Sequence, residues 1–415
     1  MREMGVDRPL LALSLALTLF GLIVLYSAGQ TDVPTVAAHA WQRQIVWSVI
    51  GLGLAAVVFR FSPRLLEWIA PIAYGASILL LLVTLAVGKG VGTAVSSKSW
   101  IVIAGHPIGQ PSELAKIAVV LMLARYLSGR REAPQSLRDL VTPCLIAGVP
   151  FLLVVRQPDL GSALVFIGIL FAMLFWANVR WTWLFLLASP VASLLLAFST
   201  TSWTIWMVVL AILLLIWRPY VYEGIAIYLV NSVMGAIALP IWHKLHPYQQ
   251  NRLLTFLNPE ADPQKAGYHA IQSKVAIGAG GWFGSGYLHG PQKRLAFLPE
   301  QHTDFVFSVV GEELGFFGVL VAMILFFALL LVLLRIARRA TEPFASLMVF
   351  GILGLLFTHV FENMGMTVNV MPITGIPLPF FSYGGSFLLA MWLCVGLALR
   401  VAWDSRLSGY ADVWQ

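Results

Sequence analysis

The sequence predicts an all-α polytopic membrane protein, a bundle of about twelve spanning helices in one integral membrane domain over residues 1–415. Three observations carry this. The chain is 59% hydrophobic and only 11% charged, whereas a soluble domain has roughly 25% charged residues. Apolar runs recur at the length of about 20 residues that a helix needs to cross a bilayer. No train of alternating strands of about ten residues, the mark of a membrane barrel, interrupts them.

Taken in order, the expected spans are roughly 9–28, 41–59, 65–87, 112–128, 139–155, 160–178, 181–199, 203–217, 221–241, 305–334, 343–365 and 383–403. The first is too long for a signal-peptide core and has no small-residue cleavage site, so it is kept as a span. Basic residues in short loops orient the bundle. Arg2 and Arg8, Arg60 and Arg64, Arg125 to Arg138, Arg180, Arg218, Arg335 to Arg339, and Arg400 and Arg406 all fall on one side if the N-terminus is cytoplasmic. The opposite short loops carry few basic residues: Arg43, Lys89, Lys98 and Arg156. Both termini are therefore expected in the cytoplasm. The net charge of +7 reflects this asymmetry and does not point to nucleic acid. Cys144 and Cys394 lie in apolar segments and read as small core residues, with neither disulfide nor metal spacing.

Three long segments fall on the other side. Residues 88–111 are rich in Gly and Ser, and residues 242–304 form the longest loop, placed before the tenth span. Residues 366–383 are too apolar for a solvated loop and too rich in Pro and Gly for a helix. They read as a re-entrant segment, since irregular backbone at that depth needs protein or a water-filled cavity around it. Tyr268 to Ile277 reads as a short amphipathic helix on the membrane surface. The glycine cluster Gly278 to Gly286 lacks the strand-then-helix context of a phosphate loop.

Polar residues in or beside apolar runs are the functional candidates, because carboxylates near lipid are costly. Asp304 stands at the mouth of the tenth span, with Thr303 a plausible helix cap before it. On this stretch alone two readings of Asp304 stand: a helix-terminus carboxylate favoured by the dipole, and a functional group. Ser112 can cap the fourth span, and Glu113 and Lys116, three apart, share a face and can pair. Asp159 reads as a cap for the sixth span. His359, Glu362 and Asn363 share a face of the eleventh, where helix–helix hydrogen bonding is preferred to a metal site. Arg252, Lys274, Lys293 and Arg294 make the longest outer loop basic, which suits an anionic lipid head group as well as a solvated surface.

Seven stretches together resemble the SEDS family of bacterial shape, elongation, division and sporulation proteins: 111–116 (PSELAK), 156–161 (RQPDLG), 247–249 (PYQ), 267–269 (GYH), 272–278 (QSKVAIG), 297–305 (FLPEQHTDF) and 375–385 (GIPLPFFSYGG). The run 272–278 and the short N-terminus look more like the family's elongation branch than its division branch. The family core has ten spans, so the resemblance makes residues 200–242 an extra helical pair.

The resemblance implies a peptidoglycan glycosyltransferase of the bacterial cytoplasmic membrane that polymerises lipid II on the outer face, during elongation and shape maintenance. Its expected partners are lipid II, the nascent glycan strand and a class B penicillin-binding protein. Asp304 matches the family's essential aspartate and is assigned as the general base for the acceptor hydroxyl. Glu113 and Lys116 are expected in a central cavity. Leaving-group charge would be met by Lys116, Lys274, Arg252 or a divalent cation, magnesium or manganese, held by pyrophosphate. Glu300, His302, Ser382, Tyr383 and Ser386 are the remaining expected substrate contacts. Two other classes fit the same residues: a lipid II flippase, and a non-catalytic membrane scaffold for the penicillin-binding protein.

Overall fold

The computed structural model describes residues 6–33, 35–90, 98–103, 106–245, 250, 254, 256, 267–298 and 300–411. A helix forms at each of the twelve expected stretches: α1 Arg8–Gly29, α2 Ala40–Val58, α3 Pro63–Val87, α4 Pro111–Ser128, α5 Leu137–Val155, α6 Leu160–Trp176, α7 Trp181–Leu196, α8 Thr200–Trp217, α9 Val221–Lys244, then, after two shorter helices, α12 Val306–Arg339, α13 Pro343–Thr367 and α14 Gly385–Ala411. Among the described residues the two shorter ones are α10 Tyr268–Gly280 and α11 Pro291–Arg294. Nine helices among the described residues are long and apolar enough to cross a membrane, and α6 and α7 are shorter apolar helices. The chain is a multi-pass membrane protein.

The core is built from α13 and α14, whose apolar residues are buried on nearly every face. Around them, α13 packs on α4, α6 and α12, and α14 lies along α2. Small residues permit the close approaches. A Cβ at Gly51 would run into the Trp392 ring, and one at Gly21 into the carbonyl of Phe380. At one end of the bundle, Asp7 caps α1 by accepting from Leu10 N, and its carboxylate also receives Arg335 of α12 at 2.9 Å and Arg406 of α14 at 2.6 Å.

Flanking this core, α7, α8 and α9 pack on one another, and α8 buries only Met207 and Leu210. Polar bonds hold the group together. Asn231 Nδ2 donates to Ser189 Oγ at 2.9 Å, and Ser193 Oγ donates to Asn231 O at 2.7 Å. The buried Glu223 carboxylate accepts from Leu137 N and Tyr220 N, tying the start of α9 to the start of α5.

Several local expectations are corrected. The segment before α4 is not only loop: Ile101–Ile103 and His106–Gly109 pair as an antiparallel hairpin. Pro111 occupies the first turn of α4, so Gln110 is its N-cap, and Ser112 lies inside the helix without a hydrogen-bond partner. Thr303 does not cap α12, whose N-cap is Phe305; the Thr303 hydroxyl donates to Glu300 instead. Asp159 does cap α6, accepting from Ser162 N at 3.1 Å.

Helix α10 packs on the bundle by one face. Ala270, Ser273, Ala276 and Gly280 form a small-residue face buried against α12. A Cβ at Gly280 would collide with the Gly311 carbonyl, so the two backbones nearly touch. Ser273 Oγ lies 2.7 Å from Ser308 Oγ and donates to Thr367 O at 2.6 Å, joining α10, α12 and α13.

α12 is one span with a break. Gly315 has φ 62° and ψ −159°, a conformation essentially confined to glycine. A break frees backbone groups that lipid cannot satisfy. The glycine loop 281–286 satisfies them: Ser285 N and Gly286 N donate to the carbonyls of Glu312 and Glu313, while Phe316 N and Phe317 N donate to the carbonyls of Gly281 and Trp282. The glycine cluster therefore closes a helix break.

Candidate active site

Asp304 sits in the turn 301–305 that leads into α12, and neighbouring elements fix the backbone of this turn. His302 O accepts from Tyr383 N at 2.9 Å, Thr303 O accepts from Ser382 Oγ at 2.5 Å, and Asp304 O accepts from Asn363 Nδ2 at 2.9 Å. Gln301 Nε2 donates to Ala28 O at the end of α1. Three successive carbonyls are thus bound to α13 and to the segment before α14, and the Asp304 side chain is left part-exposed. The His302 ring faces Tyr383, with ring centroids 5.9 Å apart. Burial holds the His302 imidazole below its ordinary pKa, opposed by the charge of Glu300.

The segment 368–384 is irregular and threads between helices, with Ile376, Leu378, Phe380, Phe381 and Ser382 buried. Asn363 Nδ2 also donates to Ile376 O at 2.7 Å, so one amide joins this segment to the turn carrying Asp304. One helical turn deeper on α13, His359 Nδ1 lies 3.2 Å from Pro377 O. A carbonyl only accepts, so Nδ1 carries the ring proton. Nε2 then offers its lone pair to Lys116 Nζ, 3.1 Å away. Lys116 also binds Glu113 at 2.8 Å, and both side chains are buried. Gln110 Nε2 donates to Asp159 Oδ2 at 2.8 Å, linking α4 to the cap of α6 near this network.

A family model described as cell cycle protein, covering FtsW, RodA and SpoVE, matches residues 8–407. The chain belongs to the FtsW/RodA/SpoVE family. It is 37% identical to the peptidoglycan glycosyltransferase RodA of Treponema pallidum, over 97% of this chain and 99% of that protein. It is 36% identical to the peptidoglycan glycosyltransferase MrdB of Escherichia coli K12, over 96% of this chain and 94% of that protein. A solved structure described as structural coordination of polymerization and crosslinking by a peptidoglycan synthase complex aligns with a TM-score of 0.71 at 31% identity, covering 97% of this chain and 98% of that one. The rod shape determining protein RodA of Thermus thermophilus aligns with a TM-score of 0.61 at 28% identity, covering 96% and 97%.

In this FtsW/RodA/SpoVE member, the expected site residues separate into groups. Glu300, His302, Asp304, Tyr383 and Ser382 meet at the turn before α12. Glu113 and Lys116 pair inside the bundle, where His359 joins them. Lys274 is exposed on α10. Arg252 lies outside the described residues. Ser382 is fully buried, and its hydroxyl donates to Thr303 O and accepts from Leu378 N, so it clasps the turn. Ser386 Oγ is enclosed without a hydrogen-bond partner. Among the described residues no three His, Cys, Asp or Glu side chains converge as a metal-binding set.

Sequence reasoning missed a second buried cluster beside the turn. Lys293 Nζ binds Glu313 Oε1 at 2.8 Å and Ser27 Oγ at 3.0 Å, and Ser27 Oγ donates to Glu313 Oε2 at 2.5 Å. The Glu312 carboxylate accepts from Gln292 N at 2.6 Å and Lys293 N at 3.2 Å. These bonds pin the loop leading to Asp304 onto α1 and the part of α12 that precedes Gly315. Two glutamates inside an apolar run were the available signal.

Proposed function

We propose that this protein is a peptidoglycan glycosyltransferase that polymerises lipid II into glycan strands on the outer face of the bacterial cytoplasmic membrane, with both termini cytoplasmic and a class B penicillin-binding protein as partner. The observation that carries this is the turn 302–304, held through three successive carbonyls with Asp304 part-exposed beyond it. A pinned backbone holds a carboxylate in one geometry, which general-base chemistry requires. Asp304 takes the proton of the acceptor sugar's 4-hydroxyl as that oxygen attacks the anomeric carbon of the donor. The bond to pyrophosphate breaks, the anomeric centre inverts, and the pyrophosphate leaves on its lipid. Glu300, His302 and Tyr383 line the same turn and would orient the sugars. Lys274 and Arg252 would meet the leaving charge. A divalent cation, if used, would be held mainly by substrate phosphate oxygens. Its chemistry would be charge neutralisation at the leaving group.

The test is lipid II polymerisation by the purified complex with its cognate penicillin-binding protein, comparing wild type, Asp304→Ala and Asp304→Asn. The expected result is polymer from wild type and none from either variant, with complex assembly intact. Undiminished polymer from Asp304→Asn would overturn the assignment. A parallel translocation assay separates the flippase reading, in which transport would survive loss of Asp304.

A further inference from the structure

The glycine loop that closes the break in α12 carries its own aromatic cluster. Trp282 and Phe283 are 66% and 81% exposed, and Phe316 and Phe317, just past Gly315, are each 48% exposed. Their rings touch: Trp282 lies 5.1 Å from Phe316 and Phe283 lies 5.3 Å from Phe317, centroid to centroid. Tyr287, at the end of the loop, donates from its hydroxyl to Ile23 O on α1 at 3.0 Å. No site residue belongs to this cluster, and the proposed chemistry makes no use of it.

Gly315 divides α12 by environment. Every residue from Val306 to Glu313 is buried in protein, including two glutamates, whereas exposed apolar side chains begin at Phe316. Residues 316–334 form an unbroken run of uncharged residues, close to the roughly 20 that cross a hydrocarbon core. The span proper therefore begins at the break, and the loop 281–287 lies at that height, bonded to Phe316 N and Phe317 N. Tryptophan and tyrosine concentrate at this boundary in membrane proteins because one ring edge is apolar and the other polar.

We infer that loop 281–287, with Phe316 and Phe317, is a lipid-binding collar that seats the outer segment in the head-group boundary of the bilayer. The lipid surface is its partner because the cluster stands where a lipid-facing span begins. The collar fixes a height. Asp304 precedes Gly315 by 11 residues of sequence, of which the helical part rises about 1.5 Å per residue, so the carboxylate stands outside the hydrocarbon, at the level of a membrane-anchored head group. This last step rests on the proposed role of Asp304; the collar itself does not.

The test places a spin label at Phe283→Cys in the full chain carrying Cys144→Ala and Cys394→Ala, reconstituted in phosphatidylglycerol–phosphatidylethanolamine vesicles. Phe327→Cys, mid-span and exposed, serves as lipid reference, and Glu132→Cys, in an exposed loop, as water reference. The expected result is a ratio of oxygen to nickel-chelate accessibility at 283 well above the value at 132 and approaching that at 327. A value equal to that at 132 would place the loop in water and overturn the collar. Shielding from both reagents on adding the penicillin-binding protein would also overturn it, by making a protein the occupant. A second readout needs no cysteine. In the otherwise native chain, Trp282→Phe should remove part of the tryptophan fluorescence quenched by lipids brominated near the head group; no change would count against the collar.

Discussion

Lys116 and His359 hold α4 and α13 in register through a contact of 3.1 Å between Nζ and Nε2, with Glu113 on the other side of the ammonium at 2.8 Å. His359 in turn reaches Pro377 O, so the charged pair in the core is connected to the irregular segment beside Asp304.

That arrangement predicts strong non-additivity. Lys116→Met leaves Glu113 buried without its cation, and removing one partner of a buried pair costs about 3–5 kcal/mol. Glu113→Gln alone leaves the lysine in the same position. The double variant Glu113→Gln/Lys116→Met removes both charges and should lose much less than the sum. Thermal unfolding of the three variants in one detergent reads this out; additive losses would show that the pair does not act as a unit.

The helix break predicts a glycine requirement that sequence periodicity does not reveal. Gly315→Ala places a side chain at φ 62° and drives its Cβ into Gly284 N, and Gly284→Ala drives a Cβ into the Glu313 carbonyl. Backbone strain of this kind costs about 1–3 kcal/mol before any clash. Gly53→Ala, with nothing within 4 Å of the added carbon, should stay within about 0.5 kcal/mol of wild type. Melting temperatures of the three test the contrast.

Most of the twelve helices were legible because they are long apolar runs, ended by charge or, as between α7 and α8, by a short Ser/Thr stretch, and Asp159 was legible as a cap because capping is local. The Glu113–Lys116 pair was legible from a spacing of three. The third member, His359, lies 243 positions from Lys116, and no local pattern joins them. The same holds for Ser27, Lys293 and Glu313, which three separate elements bring together. Ser112 and Thr303 misled for a shared reason: both have the right chemistry for a cap, but the chain turned into its helix at a neighbouring residue. The packed face of α10 was not legible because Ala, Ser and Gly carry little apolar signal while permitting the closest packing.

His302 predicts a pH dependence. Burial holds its native pKa below the value of about 6.5 that the unfolded chain would show. Above that pH both states are neutral and the group contributes nothing. As pH falls below about 6.5 the unfolded state takes up a proton that the native state resists, so stability declines until pH has passed the lowered native value. His302→Gln should remove that part of the acid dependence. Melting curves between pH 7.5 and pH 5, chosen as roughly spanning the titration, test it; identical slopes for both proteins would contradict the prediction.

The two serines flanking the Gly384–Gly385 pair should behave differently. Ser382→Ala removes the donor to Thr303 O and the acceptor for Leu378 N, which costs about 1–3 kcal/mol through buried groups left unpaired. It should also lower polymerisation, because the turn bearing Asp304 loses one of its three backbone bonds. Ser386→Ala removes a hydroxyl that has no partner and should leave stability unchanged or slightly higher. A rate loss in Ser386→Ala at unchanged melting temperature would mark contact with substrate.

The break in α12 bears on how the chain enters the membrane during synthesis. The glycine loop 281–286 precedes α12 and so emerges from the ribosome first. When the run beyond Gly315 partitions into lipid, the carbonyls and amides at the break have their partners already synthesised, a few tens of residues upstream. The order of translation thus supplies the partners of a discontinuous helix before its broken turn reaches the membrane boundary. A circular permutation that opened the chain between the loop and α12 would reverse that order.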